Sequence, residues 1–228
     1  MAIVKVGWSG GKDSSCAVLE HIKRGDKVIA VCYVPMFTDK IPLILKKHYE
    51  FILKTADFFR RLGATVHIVS GMTYVEYVTH RAKKGKFKGQ IFGFPCFQKG
   101  KCGFKRDSKI KACAELDVGY YDYESLGIAS DETDRHNQLN NSKRSILVEL
   151  DITENEASKR CDLFTILSPH YDDLSRDGCV LCPNASEKER QLWYKDYPEA
   201  VPILLALQDF VKKERSDRFP LRNYQWFL

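Results

Sequence analysis

Residues 3–23 constrain the fold more than any other part of the chain. A hydrophobic lead-in, AIVKV, runs into Ser9-Gly10-Gly11-Lys12-Asp13-Ser14, and SCAVLEHIKRG continues with helical character. That order predicts a strand, a tight glycine turn and a helix whose first backbone N–H groups face an anion. The next segments repeat the alternation. KVIAVCYV (27–34) is a β-branched apolar run of strand length. PLILKKHYEFILKTADFFRRLG (42–63) sets Leu43, Leu45, Tyr49, Ile52, Leu53, Ala56 and Phe59 at helical spacing, with Pro42 suited to a helix start and Gly63 to its end. TVHIVSG (65–71) predicts a third strand. Strands joined by helical crossovers imply a parallel sheet covered on both faces, an α/β Rossmann-like architecture.

The 228 residues, 44% hydrophobic, suit one globular domain over 1–228, with 165–228 as a C-terminal cysteine-bearing and helical extension of it. Neither a membrane-span-length apolar run nor a signal-peptide pattern is present, so a cytoplasmic protein with no membrane partner is expected. YYDYESLGIAS (120–130) and SILVELDI (145–152) read as strands, Thr153 with Glu156 as a capping box opening the helix ENEASKRCDLF, and EAVPILLALQDFVKKE as a helix. The net charge of +6 is uneven: Arg81 to Lys111 holds eleven Lys or Arg and one acid, Asp107, so this glycine-rich stretch carries +10 and the remainder −4. It reads as a long functional loop entering a helix near Ser108, and a concentration of charge of that kind suits a polyanion such as nucleic acid at one place.

The common NTPase P-loop would need glycine at position 6, where Val6 stands, and a hydroxyl at position 13, where Asp13 stands. Residues 9–14 instead resemble the SGGxDS loop of the ATP pyrophosphatases, or PP-loop enzymes, of the adenine nucleotide α-hydrolase-like fold. In such a loop Gly10 and Gly11 let backbone N–H groups approach phosphate, Ser9 and Ser14 add hydroxyls, Lys12 neutralises charge and Asp13 helps hold a metal or orients the loop, Lys12 and Asp13 being the expected catalytic pair. Three further stretches are similar to the phosphoadenosine phosphosulfate reductase family of that superfamily: FGFPCFQKGKCGFKRDSKIKA, GIASDETDR and SPHYDDLSRDGCVLCPN. The resemblance implies anion or substrate contacts from Lys105, Arg106, Lys109, Glu132 and Arg135. Ala129 replaces an arginine of the family pattern, and the tail RFPLRNYQWFL lacks the terminal nucleophilic cysteine of the thioredoxin-dependent reductases.

Eight cysteines in a chain of this class point to metal or redox chemistry. Cys179-x-x-Cys182 has the spacing at which two thiolates reach one metal. The resemblance adds Cys96 and Cys102 as further ligands and implies a [4Fe–4S] cluster; zinc, or thiols without metal, are the alternatives. Cys16, Cys32 and Cys161 read as small core residues. The implied reaction is attack on the α-phosphorus of ATP, with Mg²⁺ and with loss of pyrophosphate. It would adenylate an acceptor, nucleic acid among the candidates, for sulfur transfer from a sulfur-donor protein. A nucleotidyl-sulfate reductase and a non-catalytic nucleotide-binding subunit are the alternative functions.

Overall fold

A computed structural model of the chain describes residues 1–95, 97–98, 101–139, 142–172, 174, 178–182 and 185–215. The strands, in chain order, are β1 (Ile3–Trp8), β2 (Lys27–Tyr33), β3 (Thr65–Val69), β4 (Phe97–Gln98), β5 (Lys101–Cys102), β6 (Tyr123–Leu126) and β7 (Lys143–Arg144). The helices are α1 (Lys12–Lys23), α2 (Lys46–Arg61), α3 (Tyr74–Thr79), α4 (Gly103–Lys105), α5 (Lys111–Glu115), α6 (Thr133–His136), α7 (Ile146–Glu149), α8 (Glu154–Leu163), α9 (Glu187–Asp196) and α10 (Ala200–Glu214). A π-helical segment, Arg106–Ile110, joins α4 to α5. Among the described residues no helix is long and apolar enough to cross a membrane.

The described residues form two compact units, each assembled from separate pieces of chain. The first draws on Met1–Tyr33, Lys47–Val69 and the described part of 116–177; the second on Val34–Lys46, Ser70–Glu115 and the described part of 178–228. The segment 165–228 is thereby shared, its first part in one unit and its remainder in the other.

The first unit is an α/β fold around a five-stranded, all-parallel sheet of order β3-β2-β1-β6-β7, flanked by helices. β1 alternates, burying Val4, Val6 and Trp8, whereas Val28 to Cys32 of β2 are buried without interruption, as a strand covered on both faces requires. Trp8 meets Phe59 edge to face at 5.3 Å and donates its indole N–H to Ser15 Oγ at 2.9 Å, so the large ring brings no orphaned donor into the core.

Two expected elements differ. The α2 helix starts at Lys46, not at Pro42, and Leu53 of the predicted apolar stripe is 40% exposed. Leu43 N–H is already bonded to Pro35 O and Leu43 O to Val180 N–H, so the backbone of this stretch is committed to a turn of the second unit. Residues 145–152 are not a strand: Ile146–Glu149 forms α7, and only Lys143–Arg144 joins the sheet. A short run of buried apolar residues has no period that separates strand from helix. Here Ile146, Leu147 and Ile152 are all fully buried, and Ser145 Oγ bonds Ile128 O at 2.6 Å. The capping box of Thr153 and Glu156 is present at the start of α8, as expected.

At the end of the sheet away from the glycine turn, His21 links Asp26 Oδ2 (2.9 Å from Nδ1) to Ser125 Oγ (2.8 Å from Nε2). The order Asp–His–Ser imitates a hydrolase relay, but Ser125 and His21 are fully buried, so the arrangement ties α1 to β6. Burial holds His21 below its ordinary value, with Arg24 adding to the effect against the pull of Asp26. Burial works against ionised Asp26, yet hydrogen bonds from His21, the Ala2 N–H and Arg24 prevail and lower it to about 2. Both shifts have one consequence. The unfolded chain binds more protons, so stability contributed by His21 is complete above about pH 6.5 and falls below it, and that of Asp26 is lost from about pH 4 downwards. Asp26→Asn is expected to lose about 2 kcal/mol at neutral pH and to show a flatter acid limb in urea unfolding between pH 7 and 3. An acid limb as steep as that of the unaltered protein would contradict this account.

The second unit is built on aromatic contacts. Phe37 meets Trp193 edge to face at 5.4 Å, and Tyr74 meets Phe104 in the same manner at 5.3 Å. Trp193 donates its indole N–H to Pro42 O at 2.8 Å.

Candidate functional site

The strand order reverses between β1 and β6, and in open parallel sheets ligands bind beyond the carboxyl ends of the strands at such a switch point. β1 ends in Ser9-Gly10-Gly11, which enters α1, as the sequence predicts. Gly10 sits at φ +82, and a Cβ there would come within 2.7 Å of Ile52 Cγ1 and 3.0 Å of His48 Cε1. The loop is braced from inside. Ser14 Oγ accepts from the Ser9 N–H at 3.1 Å and donates to Gly11 O at 3.0 Å, while the Gly11 N–H reaches Ser9 Oγ at 3.3 Å. Gly11 is the N-cap and has no side chain to cap α1, so the N–H groups of the first turn have none from that position. The Lys12 N–H donates to the Tyr171 hydroxyl in a long hydrogen bond of 3.5 Å.

Lys12 does not extend into solvent. Its Nζ lies 3.0 Å from Asp13 Oδ2 and 2.9 Å from Glu154 Oε2. Burial alone would lower Lys12, but the hydrogen bonds and charges of Glu154 and Asp13 outweigh it and push it up to about 12. Asp13 moves in the direction opposite to that expected of an ion-paired acid. Burial raises it, and the charges of Glu154 and Glu132 add to that, against the pull of Lys12. One ammonium is thus shared between two acids, and a third stands beside them: oxygens of Asp13, Glu132 and Glu154 lie within 4.8 Å of one another, the one such group of His, Cys, Asp or Glu among the described residues. Glu132 is held by Arg135 and accepts from the Ala129 N–H at 3.1 Å. Two expected residues, Glu132 and Arg135, therefore belong to this site together with the loop.

Glu154 is a site residue that the sequence reading missed; as the first residue of α8 it looks like an ordinary first-turn acid. Gly127 is a second. A Cβ on it would lie 2.4 Å from Ser14 N and Cα and 2.7 Å from Asp13 C, so glycine is what lets the chain leaving β6 pass against the start of α1. The glycine of GIASDETDR was its only signal in the sequence.

Beneath the loop, Cys161 donates its thiol to Lys12 O at 3.1 Å. Cys16 and Cys161 are both fully buried, as expected of core thiols. The two thiols are electrostatic neighbours: the interaction with Cys16, then burial, raises Cys161, and the same interaction lowers Cys16.

Lys105, Arg106 and Lys109 lie in the second unit. Lys105 and Arg106 are exposed, and Arg106 grips Asp107 with two 2.8 Å hydrogen bonds. The helix expected near Ser108 is present, with Ser108 Oγ donating to Met72 O at 2.6 Å. The expected long loop before it is partly ordered: Arg81 and Ile91 form an antiparallel bridge, and Ala82 and Gly89 close a turn between them. Cys179 and Cys182 share one turn, the Cys182 N–H bonding Cys179 O at 3.1 Å. Cys102 is half-buried in the same unit and is not gathered with them into a three-ligand group; Cys96 lies outside the described residues. Comparison of the chain with protein-family models and with curated proteins finds no match.

Proposed function

We propose that the first unit binds ATP through the Ser9–Ser14 loop and cleaves it between the α- and β-phosphates, as an ATP pyrophosphatase of the PP-loop kind. The observation that carries the reading is the placement of Lys12 between Asp13 and Glu154 at the α1 N-terminus that Gly11 leaves without a side-chain cap. First-turn N–H groups and an ammonium are the donors that a leaving pyrophosphate needs. The three carboxylates are the reason a bare phosphate would be repelled, and their hard oxygen donors fit Mg²⁺. Asp13, Glu132 and Glu154 would hold the ion, which would neutralise phosphate charge when bound. Lys12, released from a carboxylate that turns to the metal, would bind the β-phosphate oxygens. An acceptor nucleophile would form its bond to the α-phosphorus as the bond to pyrophosphate breaks, giving an adenylated acceptor. The family resemblance extends the reading to sulfur transfer onto that acceptor; no step is assigned to a metal cluster, because the described thiols Cys102, Cys179 and Cys182 do not form one donor set.

Calorimetric titration with ATP tests the reading. Binding is expected with Mg²⁺ and not with EDTA, and Glu154→Gln is expected to weaken the Mg²⁺ requirement's midpoint by about tenfold. Slow turnover should yield AMP and pyrophosphate. ADP and phosphate as products, or no ATP binding at all, would overturn it, and sulfite release from adenylyl sulfate without ATP binding would favour the reductase instead.

A further inference from the structure

The second unit contains a cavity of ≈ 210 Å³ lined by Tyr77, Lys84, Phe87, Phe92, Arg106 and Arg215, among others. The turn that walls it is tightly made. The Ala82 N–H bonds Gln90 O at 2.9 Å, the Gly89 N–H bonds Ala82 O at 2.8 Å, and the Gln90 N–H bonds Phe87 O at 3.0 Å. Gly85 and Gly89, at φ +77 and +81, permit that backbone. Arg81 clasps it by donating to Gly89 O at 2.9 Å.

This small turn holds an unusual combination. Residues 81–88, RAKKGKFK, contain five basic side chains and no acid. Phe87 stands among them 46% exposed, although exposing an aromatic ring is unfavourable. Its ring is backed by the Arg215 guanidinium, 5.7 Å from the centroid, and Arg215 is itself buried and bonded to Ile91 O at 3.2 Å. Deeper in, Tyr77 and Phe92 pack edge to face at 5.2 Å. The site therefore offers a fixed aromatic platform, cations at its mouth and the Gln90 amide for a polar ring edge.

We propose that this cavity seats one base of a single-stranded nucleic acid, stacked on Phe87, with the neighbouring phosphates on Lys84 and the other lysines of the turn. Cationic grooves with interleaved rings bind single strands in this way. The size favours one ring system over a whole cofactor, since pockets for complete cofactors run to roughly 300–1,000 Å³. The charge favours a strand over a free nucleotide: Arg81 is paired with Glu214, and the four exposed lysines Lys83, Lys84, Lys86 and Lys88 still exceed what one phosphate can use. The inference does not depend on the ATP reading, which concerns the other unit.

Fluorescence anisotropy with a labelled oligothymidylate of about a dozen nucleotides tests it. Thymidine monophosphate serves as the free-nucleotide arm, being no substitute for an adenine nucleotide. The oligomer is expected to bind at about 50 mM salt and to weaken steeply towards 200 mM. Phe87→Ala should weaken binding about tenfold while Mg²⁺-ATP titrates as in the unaltered protein. Lys84→Gln should reduce the slope of log affinity against log salt by about one. Should Phe87→Ala fold poorly, Phe87→Leu keeps apolar bulk without the stacking face and must also weaken binding. No oligomer binding at low salt, or unchanged binding in both Phe87 variants, overturns the proposal. Thymidine monophosphate binding as tightly as the oligomer overturns the strand in favour of a free nucleotide.

Discussion

A Lys12→Ala protein is expected to fold and to lose ATP turnover by about a hundredfold to a thousandfold, the usual cost of removing one preorganised donor from a developing anion. The fold should survive because the Lys12 ion pairs are partly exposed, and pairs of that kind contribute about 1 kcal/mol or less. The loss has a second signature. Without the ammonium, Asp13, Glu132 and Glu154 face one another as like charges, so the variant should be least stable at neutral pH without Mg²⁺. Acidification protonates one of the three, and the gap in melting temperature from the unaltered protein should narrow. Pyrophosphate release and thermal melts at two pH values measure both effects. Turnover and melting temperature unchanged together would remove Lys12 from the site.

The largest loss of stability is expected from Gly127→Ala. One added methyl would stand 2.4 Å from two backbone atoms of Ser14, and backbone cannot rotate aside as the end of a side chain can. Either the connection after β6 or the first turn of α1 has to move, at a cost of about 3 kcal/mol. Moving the first turn of α1 displaces Asp13 and the loop, so ATP binding should disappear with the stability. Gly119→Ala is the matched control. It sits at φ +71 with nothing within 4 Å of the new atom, so it should cost only the left-handed backbone penalty, about 1 kcal/mol, and leave binding intact. Urea unfolding of the two variants side by side decides the matter: equal losses would mean that the close approach at Gly127 has no special weight.

What was legible in the sequence follows from distance along the chain. The Ser9–Ser14 loop could be read because its strand, turn and helix are contiguous, and its internal bonds span five residues or fewer. Glu154 could not, because it meets Lys12 across 142 residues and nothing near it in sequence marks it as more than a helix-starting acid. The α7 segment was misread for a different reason: Ile146 and Leu147 are simply buried, and burial on all sides erases the alternation that tells the two structures apart. The Lys-rich turn at 81–91 has no hydrophobic period because the bonds among Ala82, Gly89 and Gln90 shape it, not a buried face. The cysteines were legible as a spacing at Cys179 and Cys182, but their partners are a question of tertiary placement, which spacing does not carry.

The first unit is interrupted twice, and its central strand waits for a late partner. β1 pairs with β6 through Val4 and Tyr123, so the sheet is incomplete until more than a hundred further residues have been made after β1. Pairing at that sequence separation is slow, and it closes a long loop before any contact rewards it. During synthesis on the ribosome, Lys12 and Asp13 emerge early, whereas Glu132 and Glu154 arrive only after β6 is available. A nascent chain halted before residue 123 would therefore carry the whole glycine loop and none of its later carboxylates. Nucleotide affinity would appear abruptly as elongation passes α8, a report that the sheet has closed in its native order.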